Sequence, residues 1–347
     1  VSTTSSNAVR RARGTAAPAD GSQYGGSIAS REPALYAAAL AEGLDPEGAV
    51  LLSNGRSRVY RLPAATWKGG SGVVAKIHAR GHALAAAQQC AVAYWVRSEG
   101  VQTPRPLRRQ PITSHGGVAV SFWEDFGDGG RATPTGLAGV LSDLHSLPEP
   151  PDFLGIRLYQ PFTDLHVRVR ALRDLAPTVR GHLIRELQAL AAWWNVARWP
   201  TKSGVIHTAL SPRETTATAS GTGLLDLADL RIGPPMVDLA SVALQQDVYA
   251  NDPALPHQGD RDDDPDAAYE AFHQAYGVDV MRFADGRPYR ALRWIHILTG
   301  CIDALERATG SSAWCTEGDY RLSCVRGDEG DPPWYWRTAA EMAEVER

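Results

Sequence analysis

Hydrophobic and polar positions recur along this chain with two periods, and the change from one to the other predicts where strands give way to helices. Leu35, Ala38, Ala39 and Leu40 fall at helical spacing between Arg31 and Glu42, with Gly43 as a stop. Two β runs follow, Val50–Leu52 and Val59–Leu62, around a turn that contains Ser53, Asn54 and Gly55, which predicts a hairpin. Gly72–Ile77 is an apolar strand interrupted by one charge, Lys76. Helical spacing returns over residues 83–97, a strongly β-forming run occupies 118–122, and a further helix is predicted over 134–147. Residues 153–203 read as mostly helical. Leu183, Leu187, Leu190, Trp193 and Trp194 form one apolar stripe there, and Trp193, Trp194 and Trp199 read as core or as a stacking platform. Helices are expected again over 237–248, 267–276, 289–308 and 336–346, whereas 310–335 reads as irregular.

Composition narrows the class. The chain has 347 residues, 44% hydrophobic and 21% charged, enough for two subdomains with a sizeable core. A net charge of −4 suggests neither nucleic acid nor an anionic membrane surface as partner. No run approaches the roughly 20 apolar residues a spanning helix needs. The first 29 residues are rich in Ser, Thr, Ala and Gly and read as a disordered tail without the apolar core of a signal peptide. Cys90, Cys301, Cys315 and Cys324 form no C-x-x-C pair, so reduced thiols and a cytoplasmic location are the expectation. An acidic loop spans Asp260–Asp266, with Asp264 or Asp266 as a helix cap or, alternatively, the loop as a receiver of cations.

The candidate chemistry lies between Gly204 and Leu239. A short apolar run, Gly204–Ile206, leads into His207. A polar loop follows, and then Gly221–Gly223 and Leu224–Leu225 end on Asp226. An acid at a strand end beside a polar loop is placed to hold Mg²⁺, which prefers carboxylate oxygen and keeps several waters.

This stretch resembles the aminoglycoside phosphotransferase family of small-molecule kinases. The family's catalytic loop has the form His-Gly-Asp-Leu-His-Pro-x-Asn, followed by an Ile-Asp segment and by Gly-Pro-x-x-x-Asp-Leu-Ala. The matching residues are His207, Leu210, Pro212, Asp226, Gly233–Pro234 and Asp238–Leu239–Ala240. The resemblance implies an α+β, two-lobed protein-kinase-like fold. A β-rich nucleotide-binding lobe would span residues 30–122, a hinge 123–128, and a helical lobe carrying the catalytic loop and substrate site 129–347. It also implies ATP and Mg²⁺ as cofactors. Lys76, one of three lysines with Lys68 and Lys202, would hold the nucleotide phosphates, with Gln89 at the position of the acid that pairs with it. Ser53, Asn54 and Gly55 would lie over the phosphates, and Trp123, Glu124 and Phe126 would form the adenine-binding hinge. Asp226 and Glu214 would bind the metal, Glu214 replacing the family's asparagine, and His207 would order the loop. His145, in a Leu-x-x-Leu-His-x-Leu match, reads as a packing or capping histidine.

One departure bears on activity. The family's catalytic aspartate falls on Ala209, whose methyl group neither orients a hydroxyl nor accepts its proton. Two readings follow. In one, the chain transfers a phosphoryl group to a hydroxyl of a small molecule or of a biosynthetic peptide, with Glu214 or Asp229 orienting the acceptor. In the other, it is a pseudokinase that binds nucleotide, a peptide or a partner enzyme.

Overall fold

The computed structural model describes residues 32–345 apart from 55–56, 67–71, 114–116, 128, 209, 211 and 250–264. The N-terminal tail, Gly55, Ala209 and the acidic loop up to Asp264 therefore lie outside the described residues.

The first part of the chain builds one antiparallel sheet. Its strands are β1 (Val50–Asn54), β2 (Arg58–Thr66), β3 (Gly72–Ile77), β4 (Ile112–Thr113) and β5 (Ala119–Glu124), in the order β1-β2-β3-β5-β4. Helix α1 (Pro33–Ala41) starts on a proline, which suits the first helical turn, and buries Leu35, Ala38 and Ala39. These join Leu62, Val73, Ala75, Ile77, Val120 and others in the smaller of the two main cores. The two-residue period of β3 decides a functional question. Val73, Ala75 and Ile77 point into this core, so Val74 and Lys76 point the other way, toward the interlobe cleft. Helix α2 (Ala83–Ser98) packs beside β5, and its Gln88 donates to the Leu154 carbonyl at 2.7 Å.

His78, just past β3, gives a measurable consequence. It is buried, its Nε2 is 2.8 Å from Ser121 Oγ, and Ser121 Oγ also accepts from Trp123 Nε1. Burial and the Lys76 charge push the imidazole down to about 4 from 6.5. The unfolded chain therefore binds the extra proton first as pH falls, and the folded state loses stability between about pH 6.5 and 4. A shift of this size corresponds to roughly 3 kcal/mol. Urea unfolding followed across that window should show the loss, and His78→Gln should flatten it.

The second part is helical: α3 (Pro134–His145), α4 (Pro161–Ala171), α5 (Pro177–Val196), α6 (Met236–Val248), α7 (Pro265–Tyr276), α8 (Arg287–Arg307), α9 (Ser312–Arg326) and α10 (Ala339–Val345). Two small antiparallel pairs sit among them, β6 (Gly204–Ile206) with β9 (Arg231–Gly233) and β7 (Thr215–Thr218) with β8 (Gly221–Leu224). The large core draws on α3, α5, α6 and α8, with Leu141, Leu183, Leu187, Ile297 and Leu298 fully buried. Trp194 and Trp199 are partly buried against this core, with ring centroids 5.0 Å apart. Among the described residues all four cysteines are free, and no helix is long and apolar enough to cross a membrane.

Two sequence expectations are corrected. Residues 310–335 are not all irregular, because Ser312–Arg326 is helix α9. Ser, Cys, Thr, Gly and Asp are weak helix formers and hid it. Tertiary packing overrides them, since Gly318 lets α9 approach Ala304 of α8, and the buried Arg321 donates to the Gly300 carbonyl of α8 at 2.9 Å. Its Ser311 N-cap and left-handed Gly327 at the end were the available signals. The run Leu224–Leu225 does not stay in the strand up to Asp226 either. β8 ends at Leu224, where its partner strand starts at Thr215, and Leu225 is exposed.

Candidate active site

The loop that carries His207 is built outward from β6. Val205 and Ile206 are buried and pair with Ile232 and Arg231, which delivers His207 at the strand's end. Gly233 permits that pairing, since a Cβ there would stand 2.7 Å from Ile206 Cδ1. Leu210, fully buried, pins the far side of the loop.

Asp238 organises the loop from below. It lies in the first turn of α6, with no solvent exposure. Its Oδ2 accepts from the His207 backbone N–H at 2.6 Å and its Oδ1 from the Thr208 N–H at 2.7 Å. His145 Nε2 stands 3.0 Å from the same Oδ2, and Tyr276 Oη 2.8 Å from His145 Nδ1. Burial works against the charge on Asp238, but His145, His207 and the backbone donors outweigh it and hold the carboxyl below its usual range. His145 is therefore a positioning residue for the loop, beyond the packing or capping expected of it. Thr208 adopts φ 77°, a left-handed conformation that costs a β-branched residue on the order of 1–2 kcal/mol. The hydrogen bond from its N–H to Asp238 helps hold it there.

Asp226 stands above the loop. Its carboxylate is about half exposed (49%) and accepts from Lys76 Nζ at 3.3 Å and from the Ala228 N–H at 3.0 Å. Burial raises its proton affinity, but Lys76, the Ala228 N–H and His207 reverse this and hold the carboxyl below its ordinary value. His207 Nε2 donates to the Asp226 carbonyl at 2.5 Å, so the histidine joins the two halves of the site. Lys76 donates to Asp226, and no hydrogen bond joins it to Gln89, which lines the same cleft.

The cleft between the lobes measures about 700 Å³. Ser53, Trp123, Glu124, Phe126 and Glu214 line it with Lys76, Gln89 and Asp226. Asn54 sits at the tip of β1 opposite Arg58. Asp229 pairs with Arg231 at 3.9 Å and is not part of the wall. Phe126 packs on Gly223, where a Cβ would approach its ring to 2.6 Å, so the segment after β5 is seated on the β7–β8 hairpin. Sequence reasoning missed the Arg61–Asp125 ion pair at 2.6 Å, which joins β2 to the segment after β5 inside the cleft. No pattern in the sequence signals it, because the partners lie 64 positions apart.

The donor set suits a hard divalent cation. Asp226 and Glu214 offer carboxylate oxygens, and no three His, Cys, Asp or Glu side chains converge among the described residues. Two carboxylates, completed by water and phosphate, are the usual environment of Mg²⁺.

Residues 49–292 match the model of the phosphotransferase enzyme family. The chain belongs to this family. Solved structures share its fold at low identity. Amicoumacin kinase hAmiN, in complex with AMP-PNP, Ca²⁺ and Ami, is 13% identical with a TM-score of 0.61, over 86% of this chain and 92% of that one. A choline/ethanolamine kinase family protein from Mesorhizobium loti is 14% identical with a TM-score of 0.61, covering 91% and 99%. Aminoglycoside phosphotransferase APH(3'')-Id from Streptomyces rimosus is 20% identical with a TM-score of 0.55, covering 77% and 98%. No curated protein matches the chain in sequence. As a family member, the chain has the β-sheet and helical lobes expected of a kinase-like fold.

Proposed function

We propose that this chain is a phosphotransferase that uses ATP and Mg²⁺ to modify a hydroxyl of a small molecule. One observation carries the reading: Lys76 and Asp226, 150 positions apart, meet at 3.3 Å across the cleft of a phosphotransferase-family fold. ATP bound with Mg²⁺ supplies the transferable phosphoryl group. Lys76 binds phosphate oxygens, Asp226 and Glu214 hold the metal, and Trp123, Glu124 and Phe126 border the base. His207 and Asp238 keep the loop in place, which matters because positioning dominates this chemistry.

The inner arm of the cleft favours an acceptor rich in hydrogen-bond donors. Ser241 Oγ, Gln245 Nε2, His296 Nε2 and Thr299 Oγ1 each donate to a backbone carbonyl, at 3.0, 3.2, 3.1 and 2.8 Å. Burial also lowers the proton affinity of His296. Ser241 and Thr299 then have oxygen lone pairs left, and Gln245 its amide oxygen and a second N–H, a set weighted toward acceptors that suits hydroxyl or amine groups on a ligand. A peptide hydroxyl is the second acceptor class to test.

Asp226→Asn should weaken Mg²⁺-dependent AMP-PNP binding tenfold or more, about 1.4 kcal/mol, and abolish the Mg²⁺ dependence in calorimetry. Unchanged Mg²⁺ dependence would remove Asp226 from the metal site.

Ala209 favours a second reading, a pseudokinase that binds nucleotide, a peptide or a partner enzyme without turnover. ADP production from radiolabelled ATP, with and without acceptors, separates the two. If the chain does not bind ATP at all, the phosphotransferase reading fails.

A further inference from the structure

The family match ends at residue 292, yet the chain beyond it returns to the cleft. After α9 it pairs with the end of α6. Trp334 N–H donates to Asp247 O at 2.7 Å, Trp336 N–H to Val248 O at 2.9 Å, and Tyr335 forms a bridge with Tyr249. Arg321 of α9, only 4% exposed, fastens this segment. Its guanidinium donates to Glu317 at 2.8 Å, to Gly300 O at 2.9 Å and to Arg337 O at 2.6 Å, and lies 4.7 Å from the centre of the Trp336 ring. A buried guanidinium is stable only when its charge and donors are satisfied in this way, so the segment's attachment to the helical lobe is firmly specified.

Thr338 then caps α10. Its N–H donates to Glu341 at 2.7 Å, and the Glu341 N–H returns to Thr338 Oγ1 at 3.3 Å. Met342, with no exposure, seats the helix on Ala304 and Trp314. The same helix lies against β1 of the other lobe. Thr338 and Ala339 share the cleft wall with Leu52 and Ser53 of β1.

We infer that Trp334–Val345 is a lobe strap, a positioning element that holds the β1–β2 hairpin at a set distance from the helical lobe. The segment at residues 123–127, the Lys76–Asp226 pair and the Gln88 bond to Leu154 O connect the two parts elsewhere, and α10 adds a connection at β1. That added connection limits opening at the hairpin, so the hairpin is pre-organised before any ligand arrives. The expected gain in nucleotide affinity rests on the reading above, whereas the tethering itself does not.

The test compares the full chain with a variant lacking residues 339–347 and with Met342→Asp, which unseats α10 and leaves the Arg321 contacts in place. In hydrogen exchange without ligand, β1 and β2 amides should exchange at least tenfold faster in both variants, with α7 unchanged. Unchanged exchange in the hairpin would overturn the strap. If both variants unfold, the full chain decides: α10 amides protected a hundredfold over free peptide support the strap, and amides that exchange as free peptide refute it. Calorimetry with AMP-PNP and Mg²⁺ should show Kd rising about tenfold in the variants. If the full chain binds no nucleotide, the proposed function fails while the exchange result still stands.

Discussion

Replacing Ala209 by aspartate should raise phosphoryl transfer to a hydroxyl acceptor by about 10²–10⁴-fold, the usual worth of a positioned general base. The setting for that carboxylate already exists. His207 and Thr208, immediately before position 209, are held through their backbone N–H groups by Asp238, and Leu210, immediately after it, is fully buried. The new side chain would stand between flanks that are fixed in this way. Because ground-state contacts to nucleotide and acceptor are untouched, the gain should appear in kcat with little change in KM. Steady-state ADP release measured on both chains checks it. If the native chain turns over at least as fast as Ala209→Asp, the acceptor is oriented by another group, and Glu214, which lines the cleft, is the first to substitute.

Asp238→Ala should destabilise the protein by about 3–5 kcal/mol, the range for breaking a buried, paired charge. Two backbone N–H groups and the His145 imidazole lose their acceptor at a position with no solvent exposure. Thr208 would also lose the contact that helps keep it at φ 77°. Asp238→Asn should cost less, because its single carbonyl oxygen still accepts. The sign with pH follows from the lowered proton affinity. The folded-state value lies below the unfolded 3.8, so the carboxylate's contribution is complete above the usual carboxylate range and fades as pH falls through the folded value. Urea unfolding of the native and Asn chains should therefore converge toward low pH. Equal stability of the native and Ala chains at pH 7 would mean that Asp238 does not hold the loop.

Much of the site was legible because its parts are local. Lys76 stands out as the one charge in an apolar strand, and period two then assigns it to the face opposite Val73, Ala75 and Ile77. His207, Asp226 and the Gly-Pro…Asp segment follow one another within about 35 positions, and their order carries the family resemblance. The Asp238 clamp was only half visible. The motif includes the aspartate, but helical spacing explains His145 equally well as a packing residue, and Tyr276 lies 131 positions from it.

What the sequence determined by itself is which elements form and which side chains are chemically able to act, since hydrophobic period, caps and turn residues operate over a few positions. Helix α9 marks the limit of that reasoning, because its residues favour a helix only once Gly318 and Arg321 are packed against α8. Tertiary structure alone decided that Lys76 meets Asp226, that Arg61 meets Asp125, and that the C-terminal helix reaches back to β1. Each of these joins residues far apart in the chain. Such pairings arise from burying two cores and closing them on one another, and no local pattern encodes them.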